Sequence, residues 1–212
     1  MRQRGWMFIV TAMFMFLFAT SASAEMGTGG ISLSAGFTPA GGGDAGSGPL
    51  APAYNDAFDT GWTGRIEPYY DFNSMVRGQV GFAYNKWGGK TYIGTQFDDL
   101  KVMTYYVGLK FRFLPNSRIR PYIVADIGEA HIDGVKLSFI SFPGSSVQFW
   151  DSTTTPFLDI GGGVEYIIAP KVSFFLDIRV QRIGAPDSAL PPASDSDGIS
   201  NTPITAGVNF TF

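Results

Sequence analysis

The sequence contains no cysteine and only one histidine among its 212 residues. Disulfide bonds and thiolate-ligated metal sites are therefore excluded. Basic residues are also scarce, since 15 Lys and Arg against 18 Asp and Glu give a formal net charge of -3. A chain with this balance argues against a nucleic-acid partner. The sequence also shows no cofactor-binding motif, so we expect no cofactor.

Long apolar runs are missing after residue 19. Before it, the basic residues Arg2 and Arg4 precede an apolar run over 6–19, which is shorter than the ~20 residues of a spanning helix. Ala22 and Ala24 place small side chains at the two positions that a signal peptidase reads, just before Glu25. This pattern predicts a signal peptide over 1–24 and a mature domain over 25–212, and hence export.

Apolar and small or polar residues alternate with a period of two along most of the mature chain. That period is typical of a β-strand with two unlike faces. Aromatic residues make up 15% of the chain and there are 27 glycines, more than a soluble core requires. Eight runs show the alternation, over residues 31–37, 62–70, 76–84, 103–113, 121–128, 158–166, 172–181 and 204–212.

The connections between these runs alternate between long and short. The long ones cover about 38–61, 85–101, 132–154 and 184–203, and three short turns lie between them. Short turns at one rim and long loops at the other are typical of transmembrane β-barrels, in which every backbone group is paired. The pattern predicts an all-β fold, an eight-stranded antiparallel up-and-down transmembrane β-barrel.

The last run supplies a C-terminal strand signal. Val208, Phe210 and Phe212 share one apolar face, while small or polar residues form the other. A terminal aromatic ring suits a strand whose apolar face meets lipid and whose end lies at a membrane interface. We expect this strand to close the barrel.

With these features the chain resembles the small outer-membrane β-barrel proteins, which include the transmembrane domain of outer-membrane protein A and the opacity-type, porin-like barrels. The resemblance rests on the signal peptide, the alternating runs, Arg120-Pro121-Tyr122 at the start of a strand and Phe210-Thr211-Phe212. It implies a Gram-negative-type outer membrane, contact with its lipid and lipopolysaccharide, and insertion by the barrel assembly machinery. Unlike outer-membrane protein A, the chain is expected to carry no peptidoglycan-binding domain.

A secreted lipocalin-like barrel is the alternative, because it also has eight alternating strands but turns its apolar face inward. Two features favour the membrane barrel. Glycines such as Gly81, Gly108 and Gly161 lie on the small or charged face, which suits a crowded lumen. Aromatic residues such as Trp62 and Tyr166 lie near strand ends, as girdle residues do.

The charged residues on the lumen face are nearly balanced, with six positive and five negative side chains. A selectivity ring would favour one sign, and an eight-stranded barrel has little interior space beyond its side chains. We therefore expect paired charges that plug the lumen and block conduction. The predicted network contains Arg65, Glu67, Arg77, Lys110, Arg112, Arg120, Asp126, Asp159, Glu165, Asp177 and Arg179.

Other functions have weaker support in the sequence. A small pore or a channel for hydrophobic compounds is the first alternative, although the latter needs an apolar lumen. A lipid A-modifying enzyme is the second, because the outward position of His131 near a strand end resembles that of the His–Ser–acid arrangement in lipid A deacylase barrels. No serine follows His131 closely, so we expect no catalytic site. Asp195 and Asp197 lack the later ligands of a calcium loop, so no metal site is expected.

The predicted loops carry aromatic residues that suit either partner contact or packing on the rim. These residues are Trp87, Tyr92, Phe97, Phe139, Phe142, Phe149 and Trp150. The sequence therefore favours an outer-membrane barrel with a structural role, surface interaction through its loops, and no enzymatic activity.

Overall fold

The computed structural model describes residues 27–47, 51–141, 144–190 and 194–212. The predicted signal peptide, with Ala22, Ala24 and Glu25, lies outside these residues. The strands are β1 (Thr28–Thr38), β2 (Gly61–Asp71), β3 (Val76–Trp87), β4 (Thr91–Tyr92), β5 (Thr95–Phe97), β6 (Leu100–Arg112), β7 (Ile119–Ile132), β8 (Val135–Phe139), β9 (Ser146–Asp151), β10 (Thr153–Ala169), β11 (Val172–Ile183), β12 (Asp187–Ser188), β13 (Ile199–Asn201) and β14 (Ile204–Thr211). One short helix, α1 (Tyr54–Ala57), lies between β1 and β2. Among the described helical residues, none forms a segment with the length and apolarity that a membrane crossing requires.

Eight long strands form a closed antiparallel barrel. They follow one another around the wall in the order β1, β2, β3, β6, β7, β10, β11 and β14, and β1 pairs with β14 to close it. Each overlaps one of the eight predicted runs, so the predicted barrel is confirmed. Following the cross-strand pairs once around the wall leads from Val102 to Arg112, ten residues along the same strand. Such a stagger tilts the strands by about 40° from the barrel axis.

The two faces of the strands alternate as the sequence predicts. On β11, Leu176, Ile178 and Val180 are about half exposed, whereas Asp177 and Arg179 between them are buried. The apolar side chains therefore face outward and the charged ones face the lumen. Strands of this length at this tilt rise roughly 25 Å, the height of the apolar band of an outer-membrane barrel.

Short turns join the strands at one rim. Between β2 and β3, the Asn73 Oδ1 accepts hydrogen bonds from the backbone N–H groups of Met75 and Val76, at 2.8 and 2.9 Å. This use of an asparagine side chain to satisfy backbone donors is a common turn device. The turn fixes the register of the β2–β3 pair.

The long segments at the other rim are more ordered than the sequence indicates. Three of the four predicted loops contain short strands, and β12, β9, β8, β5 and β4 pair in that order as a second sheet, which we call the loop sheet. The remaining loop contains α1. The strands of the loop sheet have two to six residues, too few for a period of two to stand out. The pairings of β5 with β8 and of β9 with β12 also join segments that lie far apart in the sequence, so the sequence predicted these segments only as loops.

Substitution of Leu176 by Arg tests which face meets lipid. Leu176 lies near the middle of β11 on the outward face and is 57% exposed. We expect the free energy of unfolding to fall by about 2–4 kcal/mol, the cost of an arginine near the bilayer midplane. Urea titration of the protein folded into lipid vesicles measures this change. The control is Asn116→Arg in an exposed short turn, and an equal, small effect at both positions would contradict the lipid-facing assignment.

Candidate functional site in the lumen and at the outer rim

The centre of the lumen is organised around Arg179. Its side chain is fully buried and its guanidinium contacts Asp126 at 2.8 Å, Asp177 at 2.9 Å and Glu67 at 3.2 Å. The carboxylate of Asp159 lies 3.6 Å away. One cation is thus shared by four carboxylates that four different strands bring together, β2, β7, β10 and β11. Because each buried charge needs a partner, these contacts hold opposite sides of the wall together.

Other polar groups complete this central layer. Arg65 pairs with Asp159 at 3.2 Å, so that this carboxylate also faces a second cation. The Gln79 Nε2 donates to Asp126 at 2.9 Å and to Glu67 at 3.3 Å. The Tyr106 hydroxyl donates to Glu67 at 2.8 Å. Neutral N–H and O–H donors therefore stabilise these carboxylates together with the cations.

A second charged layer lies toward the short-turn rim. Asp71 pairs with Arg77 at 2.7 Å and with Arg112 at 2.9 Å. The Lys110 ammonium lies over the ring of Tyr122, 4.4 Å from its centroid. On the far side, Glu165 accepts hydrogen bonds from Ser173 and from Asn209. The lower lumen is therefore filled by ion pairs, cation–π contacts and hydrogen bonds.

Ten of the eleven predicted network residues are buried in these layers. Arg120 is the exception and corrects the prediction. It has the lumen-facing phase but lies at the start of β7, half-buried at the rim, where its Nε donates to the carbonyl of Ser117 at 3.1 Å. Alternation gives the face of a residue but not its depth, so a residue beside a turn is easily misplaced. The neutral members Gln79 and Asn209 were missed because only charges were selected.

Above the central charges, three neighbouring strands carry a patch of buried neutral polar side chains, which we call the polar patch. Thr63 and Asn85 are directly paired across β2 and β3, and Thr104 on β6 is at a similar depth. All three are fully buried, and none of their side-chain polar atoms bonds to another described residue. Groups of this kind suit bound water. These three side chains are hydrophilic, which is unfavourable for the passage of an apolar compound along this side of the lumen.

The outer end of the barrel is covered by apolar residues, which we call the cap. Its members are at most 5% exposed and come from the barrel strands, the first and last long loops and the loop sheet. They include Ala45, Tyr54, Ala57, Phe58, Ala83, Trp87, Phe97, Leu100, Val102, Ala130, Ile132, Val135, Phe149, Trp150, Phe157, Ile183 and Ile199. Tyr106 packs at the inner end of the cap and reaches from there to Glu67 in the central layer. The cap closes the lumen where the long loops meet.

Trp150 lies at the centre of the cap. Its ring centroid is 5.2 Å from that of Phe149, 5.7 Å from Tyr54 and 5.9 Å from Phe58. Its Nε1 donates to the carbonyl of Ser194 at 3.1 Å. Burial raises the pKa of Tyr54, so its hydroxyl stays protonated and donates to the carbonyl of Asp197 at 3.0 Å. One aromatic cluster thus joins α1, β9 and the last long loop.

Most of the aromatic residues in the predicted loops pack in or against the cap. Trp87, Phe97, Phe149 and Trp150 are buried in it, so packing explains them. Tyr92 is half-buried against the cap, and Phe139 is 40% exposed. Phe142 lies outside the described residues.

The neighbourhood of His131 contains a serine that the sequence did not reveal. Ser152 lies immediately before β10, with its Oγ 3.2 Å from the His131 Nε2. The Nδ1 lies 3.1 Å from the hydroxyl of Thr154, and Asp133 is 3.8 Å from the same Nε2 as the serine. In a catalytic triad the acid binds the other ring nitrogen. Cross-strand pairing brings the serine close, but the acid is on the wrong side of the ring.

No metal site emerges from the described ranges, where no group of three or more His, Asp or Glu residues could hold an ion. The predicted acidic loop segment has a structural role instead. The backbone N–H of Asp197 donates to the carbonyl of Asp44 at 3.0 Å. It therefore ties the last long loop to the first.

Comparison with known families gives a match over most of the chain. The model of the outer membrane protein beta-barrel domain matches residues 8–212. No curated protein matches the chain.

Solved structures share this fold. Neisserial surface protein A is 20% identical with a TM-score of 0.57, over 87% of this chain and 97% of that protein. The attachment invasion locus protein of Yersinia pestis is 18% identical with a TM-score of 0.50, over 89% and 100%. The outer membrane protein OprG from Pseudomonas aeruginosa is 14% identical with a TM-score of 0.58, over 88% and 97%. At these identities the likeness concerns the fold alone.

Replacement of Arg179 by Met tests the central network. The variant leaves Glu67, Asp126 and Asp177 buried without their shared cation, so we expect a loss of about 3–5 kcal/mol in the free energy of unfolding. Arg120→Met removes a cation from the rim and should cost under about 1 kcal/mol. Urea titration in vesicles measures both variants. Similar losses would contradict the central place of Arg179.

Proposed function

The chain belongs to the outer-membrane protein β-barrel family, and we propose that it is a closed barrel that displays its loop sheet at the cell surface. The protein lies in the outer membrane. The proposed role is structural and interactive: the barrel anchors the chain, and the long loops contact a partner outside the cell. Insertion by the barrel assembly machinery through Val208, Phe210 and Phe212 is part of the proposal. Phe210 and Phe212 face outward on the closing strand, 38% and 75% exposed.

The observation that carries the proposal is the double obstruction of the lumen. The Arg179 cluster fills the middle of the barrel with side chains from opposite walls. The cap then fills the outer end with packed aromatic and aliphatic residues. Solute crossing the barrel would have to displace both layers, which are stabilised by different forces. Closure of this kind favours a role outside the lumen.

The tips of the loop sheet support a surface contact. Ile93 is 67% exposed between β4 and β5, and Ile140 is 58% exposed after β8. The Ile140 backbone N–H donates to the carbonyl of Gly94 at 3.1 Å, which joins the two tips. Ile93 has a φ of 45°, a left-handed conformation that is costly for a β-branched residue. Exposed apolar residues held by a strained backbone are typical of binding surfaces.

The alternatives fit the lumen and the rim less well. A pore or a channel for hydrophobic compounds would need a continuous path, whereas the upper lumen contains Thr63, Asn85 and Thr104 and is then capped. A lipid A-modifying enzyme would need an activated nucleophile. The Ser152 hydroxyl is instead within reach of both His131 and the carbonyl of Ile132, at 3.2 Å each. We therefore propose no enzymatic activity.

Planar-bilayer recordings test the closure. The wild-type barrel should be silent across a wide range of voltages, because both layers block the lumen. Removing the centre of the cap by Trp150→Ala and Tyr54→Ala should leave it silent, since the charge network remains. Adding Arg65→Ala and Asp159→Ala, which removes one ion pair of that network, should produce open states. Large, steady conductance of the wild type would contradict the proposal.

An acyl-release assay on lipopolysaccharide tests the absence of enzymatic activity. The wild type and the variants His131→Ala and Ser152→Ala should all release fatty acid at the background rate of protein-free vesicles. A control barrel with Thr154→Val separates catalysis from rim packing, because it removes the hydroxyl that faces the Nδ1. Release by the wild type that is lost in the His131 and Ser152 variants would show that the rim is catalytic.

A further inference from the structure

A cleft of about 450 Å³ opens at the outer rim, where the first and last long loops meet β11. Arg182 on β11 lies on one side, and the backbone of Gly42 and Gly43 lies on the other. Asp197, Gly198 and Ser200 complete the lining above Ile183. The cleft lies outside the lumen and apart from the exposed tips of the loop sheet.

The outward residues of β11 show where the cleft lies relative to the membrane. The outward residues of this strand are Phe174, Leu176, Ile178 and Val180, all about half exposed, and Arg182 is the next outward residue. Its cross-strand neighbour on β10 is the exposed Leu158. Arg182 is therefore the first charged group beyond the apolar band. That level corresponds to the headgroups of the outer leaflet.

The polar groups of the cleft are of three kinds. Arg182 is exposed and forms no ion pair within the described part of the chain, although Asp197 lines the same cleft. A guanidinium can bind a phosphate with two parallel hydrogen bonds. The carboxylate of Asp197 and the hydroxyl of Ser200 can bind sugar hydroxyls. Together these groups match a phosphorylated sugar better than a free inorganic anion, which the carboxylate would repel.

Glycines allow the segments that line the cleft to pack closely against one another. Gly42 forms an isolated bridge with Ser200, which joins the first long loop to β13. Gly43 has a φ of 109°, a conformation that side chains rarely adopt. A Cβ at Gly198 would lie 2.7 Å from the carbonyl oxygen of Ile183, which is too close. A Cβ at Gly42, by contrast, would meet no atom within 4 Å.

We propose that this cleft binds the phosphorylated sugar headgroup of an outer-leaflet glycolipid. Arg182 binds the phosphate, and Asp197 and Ser200 bind sugar hydroxyls. The acyl chains of the lipid lie along the apolar band below, against Val180 and Leu158. The chain has a net negative charge, so general electrostatic attraction does not account for such binding. The ligand class is fixed by the depth of the cleft and by its mixture of cation, carboxylate and hydroxyl.

Native mass spectrometry of the folded, detergent-solubilised barrel tests this site with two probes. These are diphosphorylated lipid A and the same lipid after phosphatase treatment. Arg182→Gln removes the phosphate ligand, and Gly42→Leu fills the cleft from a position with open space. Gly88→Leu is the matched control, because a Cβ there also meets no atom within 4 Å. Lys136→Gln on the exposed face of β8 controls for the loss of one positive charge.

The wild type should bind the phosphorylated probe about tenfold more tightly than the dephosphorylated one, as expected for a charge-assisted pair. Arg182→Gln and Gly42→Leu should each lose about that factor, while both controls bind like the wild type. Heat-modifiable gel migration confirms that each variant is folded. Equal binding of the two probes, or equal binding by Gly42→Leu and Gly88→Leu, would overturn the proposal.

Discussion

The pairing of β1 with β14 is the contact on which the rest of the structure depends. In lipid, an unpaired backbone N–H or C=O costs several kcal/mol, so an open sheet edge is not tolerated. The eight antiparallel pairs Gly30–Thr211 through Phe37–Ile204 remove the only two edges that the barrel sheet would have. Once the wall is closed, every second side chain of each strand points into the interior. These side chains determine the properties of the lumen.

A barrel of eight strands leaves an interior that side chains alone can fill. This chain fills it by different means at different depths. Near the short turns and in the middle, guanidinium groups and carboxylates from opposite walls form shared ion pairs, with Arg179 at the centre. At the outer end, the loops return over the barrel and bury aromatic rings around Trp150. The charged layers hold the wall together, and the cap orders the loops that carry the surface.

Much of the barrel could be predicted from the sequence because alternation is a local signal. A stretch such as residues 172–181 shows both its strand and its two faces without knowledge of its neighbours. The loop sheet could not be predicted in this way, since β4 and β12 have two residues each and the sheet combines segments of three different loops. The position of a side chain along the barrel axis could not be predicted either. Arg120 and Arg179 both lie on the lumen face of their strands, yet only Arg179 lies among the central carboxylates. Ser152 and the cleft of Arg182 depend on cross-strand and loop contacts, which no spacing along the chain reveals.

The absence of cysteine makes one measurement especially direct. A single cysteine placed at Thr104, in the polar patch at the inner end of the cap, reports whether water-borne reagents reach the lumen of the folded barrel in vesicles. The account predicts that a membrane-impermeant maleimide labels Thr104→Cys far more slowly than Ser141→Cys on the exposed loop surface, from either side of the membrane. Labelling of Thr104→Cys at the rate of Ser141→Cys would contradict the closed lumen and favour a conducting barrel.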